Sequence, residues 1–171
     1  AAVRALAVET PEIVTIMGSG VQARAHAAAL ATVRPLGELR LWSRTETSGY
    51  AAAADIGATF FADAEEAVRG ANIVVCATSA TEPVLMGDWL KPGAFVVSVG
   101  WNGHNGRELD DAAMDNTVLV EEIETAQNQA GNIRGSDCEI FAEIGEIFTG
   151  RKTVPKGATV IYDSVGVAIL D

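Results

Sequence analysis

Ile13-Val14-Thr15-Ile16-Met17-Gly18-Ser19-Gly20-Val21-Gln22-Ala23 opens an alanine-rich run that continues to Val33. The first five residues form a short apolar block, suited to a strand buried on both faces. Val21 to Val33 suits a helix, ended by Pro35 and Gly37. Between them lies Gly-x-Gly-x-x-Ala, a pattern common by chance and informative only in this strand–turn–helix setting. Gly18 permits a tight turn, Gly20 lets the backbone approach a pyrophosphate, and Ala23 lets the helix pack closely on the strand. The helix N-terminus adds unpaired N–H groups and partial positive charge. Gly18, Ser19, Gly20, Val21, Gln22 and Ala23 are therefore expected to cradle a dinucleotide diphosphate. The plainer alternative is a glycine turn that only joins a strand to a helix.

The alternation continues outward from this turn. A helical stretch opens the chain from Ala1 to Glu9, without an N-cap or an initiator Met, as expected of a piece of a longer enzyme. Strands are expected at Leu39–Ser43, Ala58–Ala62, Ile73–Ala77, Ala94–Val99, Thr117–Val120 and Thr159–Tyr162. Helices are expected at Ser48–Asp55, Ala64–Arg69, Met86–Leu90, Ile123–Ala130 and Cys138–Thr149, with a last one starting near Ser164. The pattern loosens between Gly100 and Gly135. Strands and helices at this spacing imply βαβ units, hence an α/β, doubly wound parallel sheet of the Rossmann type. Residues 1–171 read as one dinucleotide-binding domain.

Bulk properties agree. Hydrophobic residues make up 49% and charged residues 20% of the chain, as in ordinary globular proteins. The net charge of −11 repels phosphate backbones and anionic bilayers, so neither nucleic acid nor a membrane is an expected partner. An anionic cofactor must then be held by local geometry. Cys76 and Cys138 fit no metal or redox spacing, and no signal sequence or long apolar span is present, which reads as a reduced, cytoplasmic protein.

The end of the second strand indicates which dinucleotide. NAD-binding versions carry an acid there, about 20 residues past the glycines, for the ribose 2′-hydroxyl. Here the strand ends in Ser43-Arg44-Thr45. A guanidinium flanked by two hydroxyls suits a 2′-phosphate, so NADP(H) is the preferred cofactor and NAD(H) the alternative. The plainer alternative is that Arg44 is a solvated surface arginine next to Glu46. Ligands in such sheets lie beyond the carboxyl ends of the strands. Thr78 and Ser79 follow one strand, Val99 and Gly100 lead a glycine-rich loop, and Ser164, Val165 and Gly166 follow the last strand. These residues are expected around the nicotinamide end. In that loop Asn102 and His104 are the catalytic candidates, His104 as a general acid or a merely solvated histidine. Glu121, Glu122 and Glu124 read as a solvated acidic face, and Asp110 and Asp111 as a helix cap.

The chain resembles the ornithine cyclodeaminase/mu-crystallin family. The resemblance rests on the Gly18–Ala23 turn, Trp42-Ser43-Arg44-Thr45, Ala80-Thr81-Glu82-Pro83, Lys91-Pro92-Gly93-Ala94, Arg107-Glu108-Leu109-Asp110, Glu139–Glu146 and Asp163-Ser164-Val165-Gly166, in that order. It implies hydride transfer between nicotinamide C4 and the C=N carbon of a small α-imino or amino acid. Trp42–Thr45 looks most like the NADPH-using, mu-crystallin-like branch, with ketimine reductase-like activity. Asn102 stands where the cyclodeaminases have a catalytic aspartate, and an amide cannot transfer that proton. This favours imine reduction over a cyclodeaminase-type lyase with bound NAD(P), or over a non-catalytic mu-crystallin-like binding protein. The family also implies a second domain that holds the substrate carboxylate and forms a homodimer.

Overall fold

The computed structural model describes residues 1–100 and 106–166. Eight strands form one sheet: β1 (Ile13–Met17), β2 (Glu38–Trp42), β3 (Thr59–Phe61), β4 (Ile73–Cys76), β5 (Phe95–Ser98), β6 (Thr117–Val120), β7 (Ile140–Glu143) and β8 (Val160–Asp163). Their spatial order is β3-β2-β1-β4-β5-β8-β6-β7, and every neighbouring pair is parallel. The direction of strand succession reverses at β1 and β4, which places a crevice above their carboxyl ends. The helices are α1 (Ala2–Leu6), α2 (Val21–Val33), α3 (Glu46–Ile56), α4 (Ala64–Val68), α5 (Asp111–Met114), α6 (Ile123–Gln129), α7 (Gly131–Arg134) and α8 (Ile144–Phe148). A single 3₁₀ turn, Gly87–Trp89, stands where a helix over Met86–Leu90 is expected. Among the described residues no helix is long and apolar enough to cross a membrane.

Strand alternation divides the core in two. Val74 and Cys76 face one layer with Val96, Ile161 and Met114, whereas Ile73 and Val75 face the other with Phe95, Val14 and Ile16. That second layer receives α2 through Ala23, Ala27 and Leu30, all at or below 4% exposure. Two alanines a helical turn apart leave no side-chain bulk between helix and sheet, so α2 starts immediately above β1.

The helix expected over Cys138–Thr149 is corrected. Residues Ile140–Glu143 form the edge strand β7, paired with β6, and only Ile144–Phe148 is helical. Glu143 and Glu146 make a reciprocal capping box that marks where strand becomes helix. Apolar residues at 140, 141, 144, 147 and 148 satisfy a helical period, and the local break is legible only through the caps. The helix expected from Ser164 would lie mainly in residues 167–171, outside the described residues.

Candidate functional site at the carboxyl ends of the strands

Gly18 leaves β1 with φ of +121°, and its amide donates to Trp42 O at 2.8 Å. A Cβ there would stand 2.4 Å from Ala77 O, so the turn passes against the end of β4 with no room for a side chain. Gly20 caps α2 without any side-chain hydrogen bond, and no acid lies in the first turn. Its virtual Cβ meets nothing within 4 Å. The absent side chain therefore leaves free space over the helix N-terminus, which suits an anionic group approaching the backbone.

This turn forms one wall of a cavity of about 460 Å³. Gly18 to Gln22, Ser43 to Thr45, Thr78 and Ser79 all line it, as the sequence leads one to expect. Ala23 does not; it is buried on the inner face of α2, in the packing role its position requires. Ser48 is an additional lining residue that the sequence reading missed. Its hydroxyl lies 3.0 Å from that of Ser19, which lies 2.9 Å from that of Ser43. Arg44 is exposed and forms no ion pair among the described residues, Glu46 included. Among the described residues it is the single charged one that lines the cavity, and no Asp or Glu is among them. Arg24 sits behind the turn, donating to Ser19 O and paired with Asp55 at 2.8 Å.

The other half of the crevice is organised by groups to which the sequence assigned no role there. Glu108 is fully buried. Its Oε1 accepts from the Thr78 amide at 2.7 Å and the Thr78 hydroxyl at 2.6 Å. Its Oε2 accepts from Ser98 Oγ at 2.7 Å and the Gly100 amide at 2.9 Å. One carboxylate thus fastens the ends of β4 and β5 together. Asn132, from α7, accepts from the amides of Glu108 and Leu109 and donates to Ser98 Oγ and Asp163 Oδ1. Burial pushes the Asp163 carboxyl up to about 7, against the lowering effect of the Asn132 bond; Glu108 adds to the rise.

Val99, Gly100, Ser164 and Val165 line a second, smaller cavity beside this network, and Gly166 follows directly with φ of +76°. Glu121 is corrected: it does not belong to a solvated face. Its carboxylate accepts from Tyr162 Oη at 2.9 Å, from Ser164 Oγ and from the Val165 amide, and so holds the turn after β8. Glu122 and Glu124 are exposed, and Asp110 caps α5 through Ala113 N. Cys76 is buried, which raises its thiol well above the usual range. Asn102 and His104 lie outside the described residues. Among those described, no group of three or more His, Cys, Asp or Glu could hold a metal ion.

Residues 1–171 match the ornithine cyclodeaminase/mu-crystallin family. The chain belongs to that family. Among its members, the ketimine reductase mu-crystallin of Macropus fuliginosus is 37% identical over 163 residues, covering 94% of this chain and 52% of that protein. A Delta(1)-pyrroline-2-carboxylate reductase of Bacillus cereus is 34% identical over 187 residues, covering 99% and 57%. The chain spans about half the length of the curated relatives it matches. The structure of the Thermococcus litoralis Delta(1)-pyrroline-2-carboxylate reductase in complex with NADH and L-proline superposes with a TM-score of 0.88. It is 30% identical and covers 98% of this chain and 57% of that one. Family membership and a parallel sheet with its crevice at the strand ends agree with the resemblance drawn from the seven motifs.

Proposed function

We propose that this chain is the cofactor domain of an NADP(H)-dependent oxidoreductase acting on the C=N bond of a small α-imino or amino acid. The observation that carries the cofactor assignment is the cavity in which, among the described residues, Arg44 is the only charged lining residue and Ser19, Ser43, Thr45 and Ser48 line it with hydroxyls. A carboxylate is what a ribose 2′-hydroxyl needs at the end of β2, and a guanidinium with hydroxyls is what a 2′-phosphate needs. The names of the relatives, a ketimine reductase and pyrroline-carboxylate reductases, support the imine substrate class.

In this reading the backbone of Gly18 to Gln22 and the N-terminus of α2 hold the diphosphate, with Ala23 keeping the helix close enough to do so. Arg44, Ser43, Thr45 and Ser48 hold the 2′-phosphate. Thr78, Ser79, Val99, Gly100, Ser164, Val165 and Gly166 bound the ribose and ring at the nicotinamide end. The cofactor, when bound, supplies or accepts hydride at C4. The protein's part is to hold that face against the substrate and to keep water from it. Asn102 and His104 remain the proposed polar groups near the reacting carbon, and a homodimer remains the proposed assembly of the whole enzyme.

Titration of NADPH and NADH into wild type and Arg44→Ala tests the assignment. The NADPH affinity should fall at least tenfold, about 1.4 kcal/mol, while NADH binding stays within about twofold. Equal losses for the two cofactors would refute the 2′-phosphate role. Turnover of a panel of cyclic and linear ketimines, followed by NADPH absorbance in the protein that carries this chain, tests the substrate class.

A further inference from the structure

The cavity beside Val99 and Ser164 encloses about 50 Å³, and Asn132 and Asp163, with Gln129 and Ser164, are its polar side chains among the described residues. Asp163 is 4% exposed. Its Oδ1 accepts from Asn132 Nδ2 at 3.0 Å, but its buried Oδ2 has no hydrogen-bond partner among the described residues. Glu108, in the same network, is saturated by four donors. The two carboxylates thus differ sharply. One is internally solvated; the other has one oxygen left over. No Lys or Arg is among the residues lining the cavity.

We infer that Asp163 is an electrostatic tuning residue for the nicotinamide: its ionised carboxylate favours the oxidised, cationic ring over the neutral reduced ring, so the cofactor preference of the site follows pH. This rests on the proposed reading that the nicotinamide lies at this end of the crevice. The two redox forms of the cofactor differ by one positive charge on the ring and share every other group. A charge that appears in the wall beside the ring therefore shifts their relative affinity and leaves their common contacts alone.

The surroundings make that charge a titrating one. Buried, with one oxygen unpartnered, the carboxyl gives up its proton in the neutral range, near 7. The charged groups that face it are Glu108, after β5, and Glu121, after β6. Cys76 faces it from β4 as a thiol, and α7 reaches it through the neutral amide of Asn132. None of these groups is a cation, so among the described residues no positive charge faces the carboxylate that the loss of the Asp163 proton creates. A cationic ring is the missing counter-charge. By reciprocity, binding of the oxidised cofactor at neutral pH must expel a proton that binding of the reduced cofactor does not.

The test measures NADP⁺ and NADPH affinities from pH 6 to 8.5 in wild type and Asp163→Asn. In wild type the preference for NADP⁺ over NADPH should rise with pH by on the order of tenfold. That is roughly what a unit charge at about 10 Å supplies in an effective dielectric of about 20. The Asn variant should show a flat ratio. Isothermal titration of wild type in buffers of different ionisation enthalpy supplies a second readout that needs no variant: more proton release with NADP⁺ than with NADPH, the release from their common 2′-phosphate being shared. A pH-independent ratio in wild type, an identical profile in the variant, or equal proton release for both forms overturns the inference. Failure of both cofactors to bind overturns the underlying assignment of the site instead.

Discussion

Glu108→Gln changes one oxygen to an amide nitrogen in a group that accepts four hydrogen bonds, and the geometry fixes what is lost. Each oxygen serves one backbone N–H and one hydroxyl: Thr78 N and Oγ1 at Oε1, Gly100 N and Ser98 Oγ at Oε2. A hydroxyl can rotate and accept from the new NH₂, but a backbone N–H cannot. Whichever way the amide turns, one backbone donor is left facing another donor. Losing one bond to a charged acceptor costs about 1.5–3 kcal/mol, and the orphaned buried N–H adds to it, so about 2–4 kcal/mol is expected. For a domain of this size that lowers Tm by roughly 5–15 °C. Urea unfolding followed by far-UV circular dichroism measures it, with Glu124→Gln, an exposed control, staying within about 0.5 kcal/mol. A Glu108→Gln protein as stable as the control would refute the claim that this carboxylate fastens β4 to β5.

Two glycines in the same turn should behave oppositely. Gly18→Ala puts a Cβ 2.4 Å from Ala77 O at φ of +121°, so it should destabilise the fold by about 2 kcal/mol or more in thermal melts. Gly20→Ala adds a Cβ that meets nothing, so stability should hold while NADPH affinity falls at least tenfold; intact affinity would clear the diphosphate from that space. Asp163 also links stability to pH. Its folded-state value near 7 lies above the ordinary 3.8, so the folded form holds the extra proton in between. Its contribution is complete below about pH 4 and is lost as pH rises through about 7. At about 1.36 kcal/mol per unit over roughly 3 units, the loss is at most about 4 kcal/mol. Asp163→Asn should remove that decline, measured by denaturant midpoints across pH 4 to 8.

The half of the crevice built on β1, α2 and β2 was legible in the sequence because its chemistry is local. Gly18 and Gly20 are needed for backbone reasons that operate within three residues, and Ser43-Arg44-Thr45 terminates a strand whose pairing with β1 follows from the alternation. The other half was legible only as a set of polar strand ends. Glu108 falls in one of the family motifs, but nothing local gives it a role, and its partners Thr78 and Ser98 lie 30 and 10 residues away. Asn132 and Asp163 are likewise joined across 31 residues. A hydrogen bond between distant segments leaves no periodicity for sequence reading to find. Ser48 escaped for a related reason: α3 begins at Glu46, so one helical turn brings its hydroxyl back to Ser19. Glu121 was misread because three consecutive-looking acids suggest one environment, whereas the end of β6 turns the first of them towards Ser164.

The Glu108 clasp also has a mechanical consequence. Thr78 borders the cavity under the glycine turn and Gly100 borders the cavity beside Asp163, and one buried side chain grips both. The two compartments therefore share a rigid floor. A substitution that breaks this clasp therefore releases a lining residue of each compartment at the same time.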